Sequence, residues 1–137
     1  MRLALGLALV VFASSAAACT ATVSPAPEPV VVQSTGTLTV DWSINGTKDP
    51  NQCSQGAAAA IQITVTDPNA NPIGTFEQSC TAFATSITLD AGQYLAQARL
   101  IDAVGTPRTT TIDINSFTIL GNDDFTAPID FSASSFF

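Results

Sequence analysis

Four aspartates near the C-terminal end of the chain are the first candidates for chemistry. Asp123 and Asp124 are adjacent, and Asp113 and Asp130 lie close to them in sequence. Paired carboxylates can carry out acid–base or glycosidic chemistry, and carboxylate and carbonyl oxygens can ligate calcium. The spacing matches neither an EF-hand loop nor a calcium-binding nonapeptide repeat. Turn formation is therefore the favoured interpretation, with Asp123 and Asp124 kept as weak metal candidates.

The other groups that catalysis usually needs are scarce. The chain has no histidine, which removes the commonest general base and the commonest metal ligand. Lys48 is the only lysine and lies in a polar stretch, so a solvated cation is favoured over a nucleophile or a base. We therefore predict no enzymatic activity, no cofactor and no tightly bound metal.

The charge balance of the chain is strongly acidic. Eleven acidic residues face four basic ones, and three of the basic residues (Lys48, Arg99 and Arg108) follow the N-terminal segment. An acidic surface repels phosphate backbones, so we predict no nucleic-acid partner. The same repulsion disfavours docking on anionic lipid head groups, so a link to the membrane would require a covalent lipid.

The N-terminal segment has the layout of an export signal. Arg2 is followed by an apolar run over 3–13 and then by small residues up to Cys19. The run is too short to span a bilayer, which needs about 20 apolar residues. The stretch Ala16-Ala17-Ala18-Cys19 resembles the lipobox of bacterial lipoproteins, although Leu is commonest at the place of Ala16.

This resemblance implies that residues 1–18 are a signal peptide and that Cys19 is lipidated. Thr20 stands where an Asp would favour retention in the inner membrane, so the resemblance implies an outer-membrane location. The alternative is an ordinary signal-peptidase site followed by a cysteine by chance. Either way, the segment indicates where the protein is located and leaves its activity open.

Lipidation of Cys19 would leave Cys53 and Cys80 as an even pair. Exported compartments are oxidising, so this pair predicts a disulfide. Its closed loop would restrict the unfolded chain by about 3–4 kcal/mol on the chain-entropy model. Two unpaired buried thiols are the alternative, but the polar sequence around both cysteines favours the bridge.

The rest of the chain is predicted to hold a Pro-rich tether over 19–35 and one domain over 36–137. The domain's clearest strand places four large apolar residues on one face: Leu38, Val40, Trp42 and Ile44. Shorter alternating segments recur to residue 131, separated by turn clusters such as 67–72 and 121–124. The spacing predicts an all-β fold, a single antiparallel β-sandwich of seven or eight short strands.

Two stretches of the domain are less regular. Residues 46–56 are polar, with Asp49-Pro50-Asn51 as a turn signal, and they predict a loop. Residues 108–113 and 115–120 are rich in β-branched side chains and count among the predicted strands.

The segment Asp90-Ala91-Gly92-Gln93-Tyr94 resembles the D-x-G-x-Y corner of immunoglobulin-like sandwiches, which also occurs in prealbumin-like domains. The resemblance implies that the Tyr94 hydroxyl bonds to the backbone nearby, so Asp90 and Tyr94 would form a structural corner. The immunoglobulin pairing of a core Trp with an inter-sheet disulfide is not matched by position, since Trp42 lies on the first strand. The sequence therefore does not decide between the immunoglobulin-like and the prealbumin-like superfamily.

These observations favour a lipid-anchored, non-enzymatic β-sandwich module of the envelope with a structural or protein-interaction role. It would act through an edge strand or a loop cluster, and its partners would be the membrane, through the lipid, and an envelope protein. A small ligand-binding module for a sugar or a peptide, with calcium optional, is the alternative. Trp42 and Tyr94 both fall on inward-facing rows, whereas a sugar-binding sheet face would expose its aromatic rings, so the first function is favoured.

Overall fold

The computed structural model describes residues 34–137, which form two packed β-sheets. The predicted signal peptide 1–18, Cys19 and the tether up to residue 33 lie outside the described residues. The strands are β1 (Thr35–Ile44), β2 (Ala60–Thr66), β3 (Pro72–Ser79), β4 (Ala84–Asp90), β5 (Gly92–Ile101), β6 (Ile112–Ile119) and β7 (Asp124–Phe131). A short helix, α1 (Pro50–Gln55), separates β1 from β2, and 3-10 turns occupy Cys80–Ala82 and Ala133–Ser135. Across 34–137, no helix has the length and apolar character to cross a membrane.

The sheets have the strand orders β4-β1-β7 and β3-β2-β5-β6. Every pairing is antiparallel except that of β1 with β7, which is parallel. The parallel pair arises because β6 ends at the same end of the sandwich at which β1 begins, and the chain crosses to the other sheet there, so β7 runs in the direction of β1. The predicted all-β sandwich is confirmed, with seven strands and this one parallel pairing. Whether the sandwich is immunoglobulin-like or prealbumin-like stays open.

The alternation in β1 supplies the centre of the core. Leu38, Val40, Trp42 and Ile44 are at most 1% exposed. Alternate residues of β2 and β5 join the same buried cluster from the other sheet: Ile61, Ile63, Val65, Tyr94, Ala96, Ala98 and Leu100. Burying a large apolar side chain contributes about 1.5–3 kcal/mol, so these facing rows provide most of the reason for the two sheets to pack.

Trp42 is buried and keeps its polar group satisfied. Its indole Nε1 donates to the carbonyl oxygen of Cys80 at 2.9 Å, and its ring lies 6.4 Å from that of Phe83. A buried indole N–H without an acceptor would cost free energy, so this bond fixes the turn at Cys80 against β1. A core tryptophan therefore lies beside a half-cystine, although from a different strand than in the immunoglobulin pattern.

Helix α1 stands where the sequence predicted only a loop. The carboxylate of Asp49 accepts from Asn51 N at 2.9 Å, and Pro50 occupies the first helical turn. Both residue types are favoured at helix N-termini, because the carboxylate satisfies a free N–H and proline lacks one. A helix of six residues is too short to show an apolar period, so the pattern-based prediction missed it.

Residues 108–111 also differ from the prediction, because β6 begins only at Ile112. Thr109 is buried, and its Oγ1 accepts from Leu100 N at 2.9 Å. Arg108 N donates to Leu100 O at 2.8 Å. The segment is therefore a strap across the end of β5, held by side-chain and backbone hydrogen bonds together.

Candidate functional site

The residues considered for catalysis lie apart from one another. Lys48 Nζ lies 2.6 Å from Asp41 Oδ1 on the outer face of the smaller sheet, and both side chains are well exposed. An exposed ion pair of this kind contributes about 1 kcal/mol or less. The pair therefore has the geometry of a surface salt bridge.

The four candidate aspartates do not converge either. Asp113 and Asp130 lie on the outer faces of different sheets, where they accept hydrogen bonds from Gln97 and Ser43. Asp123 Oδ1 accepts from Asp124 N at 3.0 Å within its own turn. Within residues 34–137 no group of three or more side chains is placed to hold a metal ion. Turn formation explains the local geometry of Asp123 and Asp124 without a metal.

Cys53 and Cys80 form the predicted disulfide, with an S–S distance of 2.01 Å and a Cα–Cα distance of 6.0 Å. The bond joins α1 to the 3-10 turn that precedes β4. Both cysteines are buried, at 2% and 0% exposure, although the sequence around them is polar. The crosslink therefore fastens an irregular surface segment directly to the core.

The Asp90–Tyr94 segment has the hydrogen bond of a tyrosine corner. The Tyr94 hydroxyl donates to the carbonyl oxygen of Asp90 at 2.8 Å, across a connection in which Ala91 alone separates β4 from β5. Burial of the hydroxyl raises the pKa of Tyr94 above its ordinary value of 10.0, and the negative charge of Asp90 adds to the rise. The ring also lies 5.9 Å from that of Phe117.

The sandwich has two ends, and the described chain begins at one of them. We call that end the proximal pole; it comprises Ser34, Ala91 and the turns 67–71 and 120–123. Ser34 O accepts from Ala91 N and Thr35 O accepts from Asn122 N, each at 2.8 Å. The opposite end is the distal pole; it comprises residues 45–59, 80–83, 102–111 and 132–137. The 10 residues of β1 separate the two poles by about 30 Å.

A groove of 240 Å³ opens on the distal pole. Its polar lining side chains are Asn45, Gln52, Gln55 and Arg108, and Phe136 and Phe137 form an aromatic wall. These residues come from the β1–β2 connection, the strap before β6 and the C-terminal segment. The groove exists because three irregular segments meet at this pole.

Both backbone polar groups of Arg108 form hydrogen bonds that hold the residue at the groove. Its N–H donates to Leu100 O at 2.8 Å, and its carbonyl accepts from Phe137 N at 3.2 Å. Its side-chain Nε donates a long hydrogen bond, 3.4 Å, to Gly56 O. The guanidinium is thereby placed at the C-terminal end of α1.

Gly56 positions the aromatic wall. A Cβ atom built on Gly56 would overlap the ring of Phe136, and the backbone φ of –80° is one that any residue adopts. Glycine is therefore required here by the close approach of the ring. Phe136 is partly buried against the core, whereas Phe137 is 78% exposed.

The amide side chains of the groove are only partly used by the protein. Asn45 Nδ2 donates to Gln52 Oε1 at 3.0 Å, which fixes these two side chains together. Within residues 34–137, the Gln55 amide and the Nη atoms of Arg108 have no hydrogen-bond partner, and no carboxylate lies within 4.0 Å of Arg108. The groove thus offers several donors that the described protein leaves to solvent or to a ligand.

The open edges of the sheets differ in how well they resist strand addition. β7 contains Pro128, β6 pairs through a bulge opposite β5, and β3 begins at a bulge beside Pro72. Proline and bulges are common devices that protect sheet edges. β4 has neither and carries a charge only at its end, Asp90. Among the described strands, β4 is therefore the edge most open to pairing.

Sequence reasoning did not find the groove. It counted Arg108 only as one of the three basic residues that follow the N-terminal segment. The one usable sign was Asp49-Pro50, which marks the start of the helix that carries Gln52, Gln55 and Gly56.

Comparisons with known proteins add little to this picture. No protein-family model matches the chain, and no curated protein matches its sequence. Among solved structures, the chain is similar to the Bacillus anthracis TIE protein, at 12% identity and a TM-score of 0.41. It is also similar to a candidate adhesin from Bacteroides thetaiotaomicron, at 11% identity and a TM-score of 0.42. The matches cover 73% and 72% of this chain but only 16% and 46% of those proteins, so the chain spans less than half the length of either.

Proposed function

We propose that this chain is a lipid-anchored, non-enzymatic module of the bacterial envelope that contacts a partner protein through its distal pole. The observation that carries the proposal is the placement of the two poles. The described chain begins at the proximal pole, and the groove and the long irregular segments gather at the other end of β1. The distal pole is the end of residues 34–137 opposite to Ser34, and we take it as the contact surface.

Export and anchoring rest on two features. The N-terminal segment resembles a lipoprotein signal ending at Cys19, and the disulfide between Cys53 and Cys80 is typical of an oxidising compartment. Intact-mass spectrometry of the mature protein tests the anchor: we expect a chain that begins at Cys19 and carries a diacylglycerol increment. The variant Cys19→Ala should lack that increment, and an unmodified soluble wild-type chain would contradict anchoring.

Position-dependent photo-crosslinking in living cells tests the contact surface. A photoreactive residue replaces either Gln55 at the distal pole or Asn69 at the proximal pole; both side chains are exposed. We expect a discrete protein adduct from position 55 and none from position 69. Equal adducts from both positions, or an adduct from position 69 alone, would overturn the proposal.

The open edge of β4 is the rival contact surface. A lysine introduced on an edge strand discourages strand addition, so Thr88→Lys should abolish the adduct if the partner pairs with β4. Thr126→Lys on β7 is the matched control, because both threonines are exposed on edges of the same sheet. We expect neither variant to reduce the adduct from position 55; a loss with Thr88→Lys alone would move the contact to the sheet edge.

A small ligand-binding module is the second candidate function. The groove favours it, because a concave site with a few placed polar groups is the usual form of a ligand site. At 240 Å³ the groove is smaller than the range of about 300–1,000 Å³ typical of sites for drug-sized ligands. It has room for one small unit of a ligand, such as a single sugar or a single amino-acid residue.

A further inference from the structure

The groove of the distal pole is rich in hydrogen-bond donors. Within residues 34–137, the Nη groups of Arg108, the Nε2 of Gln52 and the amide of Gln55 have no hydrogen-bond partner, while Gln52 Oε1 accepts from Asn45. Guanidinium groups only donate, and the side-chain acceptors of the lining are the amide oxygens of Asn45, Gln52 and Gln55. The balance therefore favours a ligand that carries a negative, acceptor-rich group together with some donors of its own.

Within residues 34–137, no acidic side chain forms an ion pair with the guanidinium of Arg108. Asp102 is one candidate: its pKa is lowered mainly by the hydrogen bond from Thr106 N and, to a lesser degree, by the charge of Arg108. Asp102 Oδ1, however, already accepts from Val104 N at 3.0 Å and Thr106 N at 2.9 Å, and no carboxylate oxygen in 34–137 comes within 4.0 Å of the guanidinium. Carboxylates bind arginine with two parallel hydrogen bonds, and this is the geometry left open at the Nη atoms.

The cation is also pre-positioned. The backbone of Arg108 is bonded on one side to Leu100 and on the other to Phe137, and its Nε reaches Gly56 O. Ordering an arginine side chain on binding costs entropy, and the one long side-chain bond of Arg108 lowers that cost in part. The protein keeps this arginine at the groove although acidic residues outnumber basic ones elsewhere on the chain.

We propose that the groove binds a uronic acid residue, that is, a hexose unit with one carboxylate. The carboxylate would pair with Arg108, and ring hydroxyls would exchange hydrogen bonds with the amides of Asn45, Gln52 and Gln55. Phe136 and Phe137 offer an apolar wall for the face of the sugar ring. The inference rests on the second candidate function and names the ligand class for it.

The carboxylate of a peptide C-terminus shares part of this chemistry but fits the groove less well. Recognition of a peptide end usually adds backbone N–H donors for the carboxylate and an apolar pocket for the last side chain. Here the donors on the lining are side-chain amides and a guanidinium, and the apolar contribution is one wall. Amide groups that both donate and accept are better matched to the several hydroxyls of a sugar.

Titration of the mature chain with three small probes tests the inference. The probes are methyl glucuronoside, the neutral methyl glucoside, and an acetylated dipeptide with a free C-terminal carboxylate, followed by NMR of the side-chain amides. We expect methyl glucuronoside to bind at least tenfold more tightly than either other probe and to shift the amide signals of Gln52 and Gln55. Equal binding of the glucoside, tighter binding of the dipeptide, or no binding of methyl glucuronoside would overturn the inference.

Matched arginine variants locate the site. Arg108→Gln should weaken methyl glucuronoside binding at least tenfold, whereas Arg99→Gln should leave it unchanged, because Arg99 lies on an outer sheet face and bonds Gln62. Gln55→Ala removes an exposed amide that the described fold does not use, so it should stay folded and lose severalfold in affinity. An equal loss in Arg99→Gln, or no loss in Arg108→Gln and Gln55→Ala, would contradict the assignment.

The two proposals can fail separately. If methyl glucuronoside does not bind while position 55 still gives a discrete protein adduct, the sugar inference falls and the interaction module stands. If it binds at Arg108 and no position-dependent adduct forms, the ligand-binding function replaces the protein contact.

Discussion

The two poles of the sandwich are fastened in different ways. The proximal pole has short connections, down to Ala91 alone between β4 and β5, and its corner is closed by the hydrogen bond from Tyr94 to Asp90. The distal pole has the long connections 45–59 and 102–111, and it uses a disulfide, a capped helix and a strap. Short turns are ordered by local hydrogen bonds alone. Long segments lose more conformational entropy on ordering and therefore need stronger crosslinks and contacts. The groove lies at the pole where those long segments meet.

Breaking the disulfide should have the largest effect and should act on the distal pole. In a Cys19→Ala background, we expect Cys53→Ser and Cys80→Ser each to lower the free energy of unfolding by about 3–4 kcal/mol. The double variant should cost little more than either single one, because both changes break the same crosslink. Chemical denaturation measures the three values, and strictly additive losses would contradict a shared bond.

Thiol labelling gives a direct check of the same crosslink. The unfolded, unreduced Cys19→Ala chain should show no reactive thiol, and reduction should expose two. Labelling of Cys53 and Cys80 before reduction would show that the bridge is absent from the protein.

Adding a methyl group at Gly56 should have the next largest effect. Its Cβ would overlap the Phe136 ring, so Gly56→Ala must displace the aromatic wall or shift α1. Overpacking of this kind costs about 1–3 kcal/mol. We expect a loss of stability in denaturation and a changed NMR signal for the Arg108 side chain, whose Nε bonds Gly56 O.

The control for this prediction removes the ring that the methyl group meets. In a Phe136→Ala background, the further change Gly56→Ala should cost much less than it does alone, since contacting residues are not additive. The same cost in both backgrounds would mean that the helix end, and not the ring, requires glycine.

At the proximal pole, Tyr94→Phe should lower the free energy of unfolding by about 1–2 kcal/mol, because it removes one partly buried hydrogen bond and keeps the ring. The raised pKa of the hydroxyl adds a dependence on pH. The protonated form is favoured in the folded state, so this stability is present below pH 10 and is lost as the pH rises through the folded pKa. Unchanged stability in Tyr94→Phe at neutral pH would contradict a structural corner.

The two poles also differ in how far the sequence could predict them. The D-x-G-x-Y segment pointed to the contact between Tyr94 and Asp90, because both residues belong to one local pattern. The disulfide could be predicted from cysteine number and compartment. The groove could not, because Arg108 Nε and Gly56 O are 52 positions apart and meet only through tertiary packing. Alternation within β1 predicts which face is buried, but it carries no information about which irregular segments will meet beyond the strand's end.

The smallest expected effects on stability come from two turns, one at each pole, that have the same hydrogen-bond pattern. At the proximal pole Asp67 Oδ1 accepts from Asn69 N at 2.8 Å and Asn71 N at 2.9 Å. At the distal pole Asp102 Oδ1 accepts from Val104 N and Thr106 N in the same way. Hydrogen bonds to Asn71 lower the pKa of Asp67 below its ordinary value of 3.8, and the bond to Thr106 does the same for Asp102. Each depressed pKa gives stability that is present above pH 3.8 and lost as the pH falls through the folded pKa.

Arg108 separates these two otherwise similar aspartates. Its positive charge is a further cause of the lowered pKa of Asp102 and does not act on Asp67. In Arg108→Gln, we therefore expect the pKa of Asp102 to rise toward its ordinary value while that of Asp67 stays in place, as followed by NMR titration of the side-chain carboxyl carbons. The acid-induced loss of stability that Asp102 contributes should shrink accordingly, since the gap between its folded and unfolded pKa narrows. Equal shifts at both aspartates would indicate a general loosening of the fold, and no shift at Asp102 would place the guanidinium too far away to act on the distal turn.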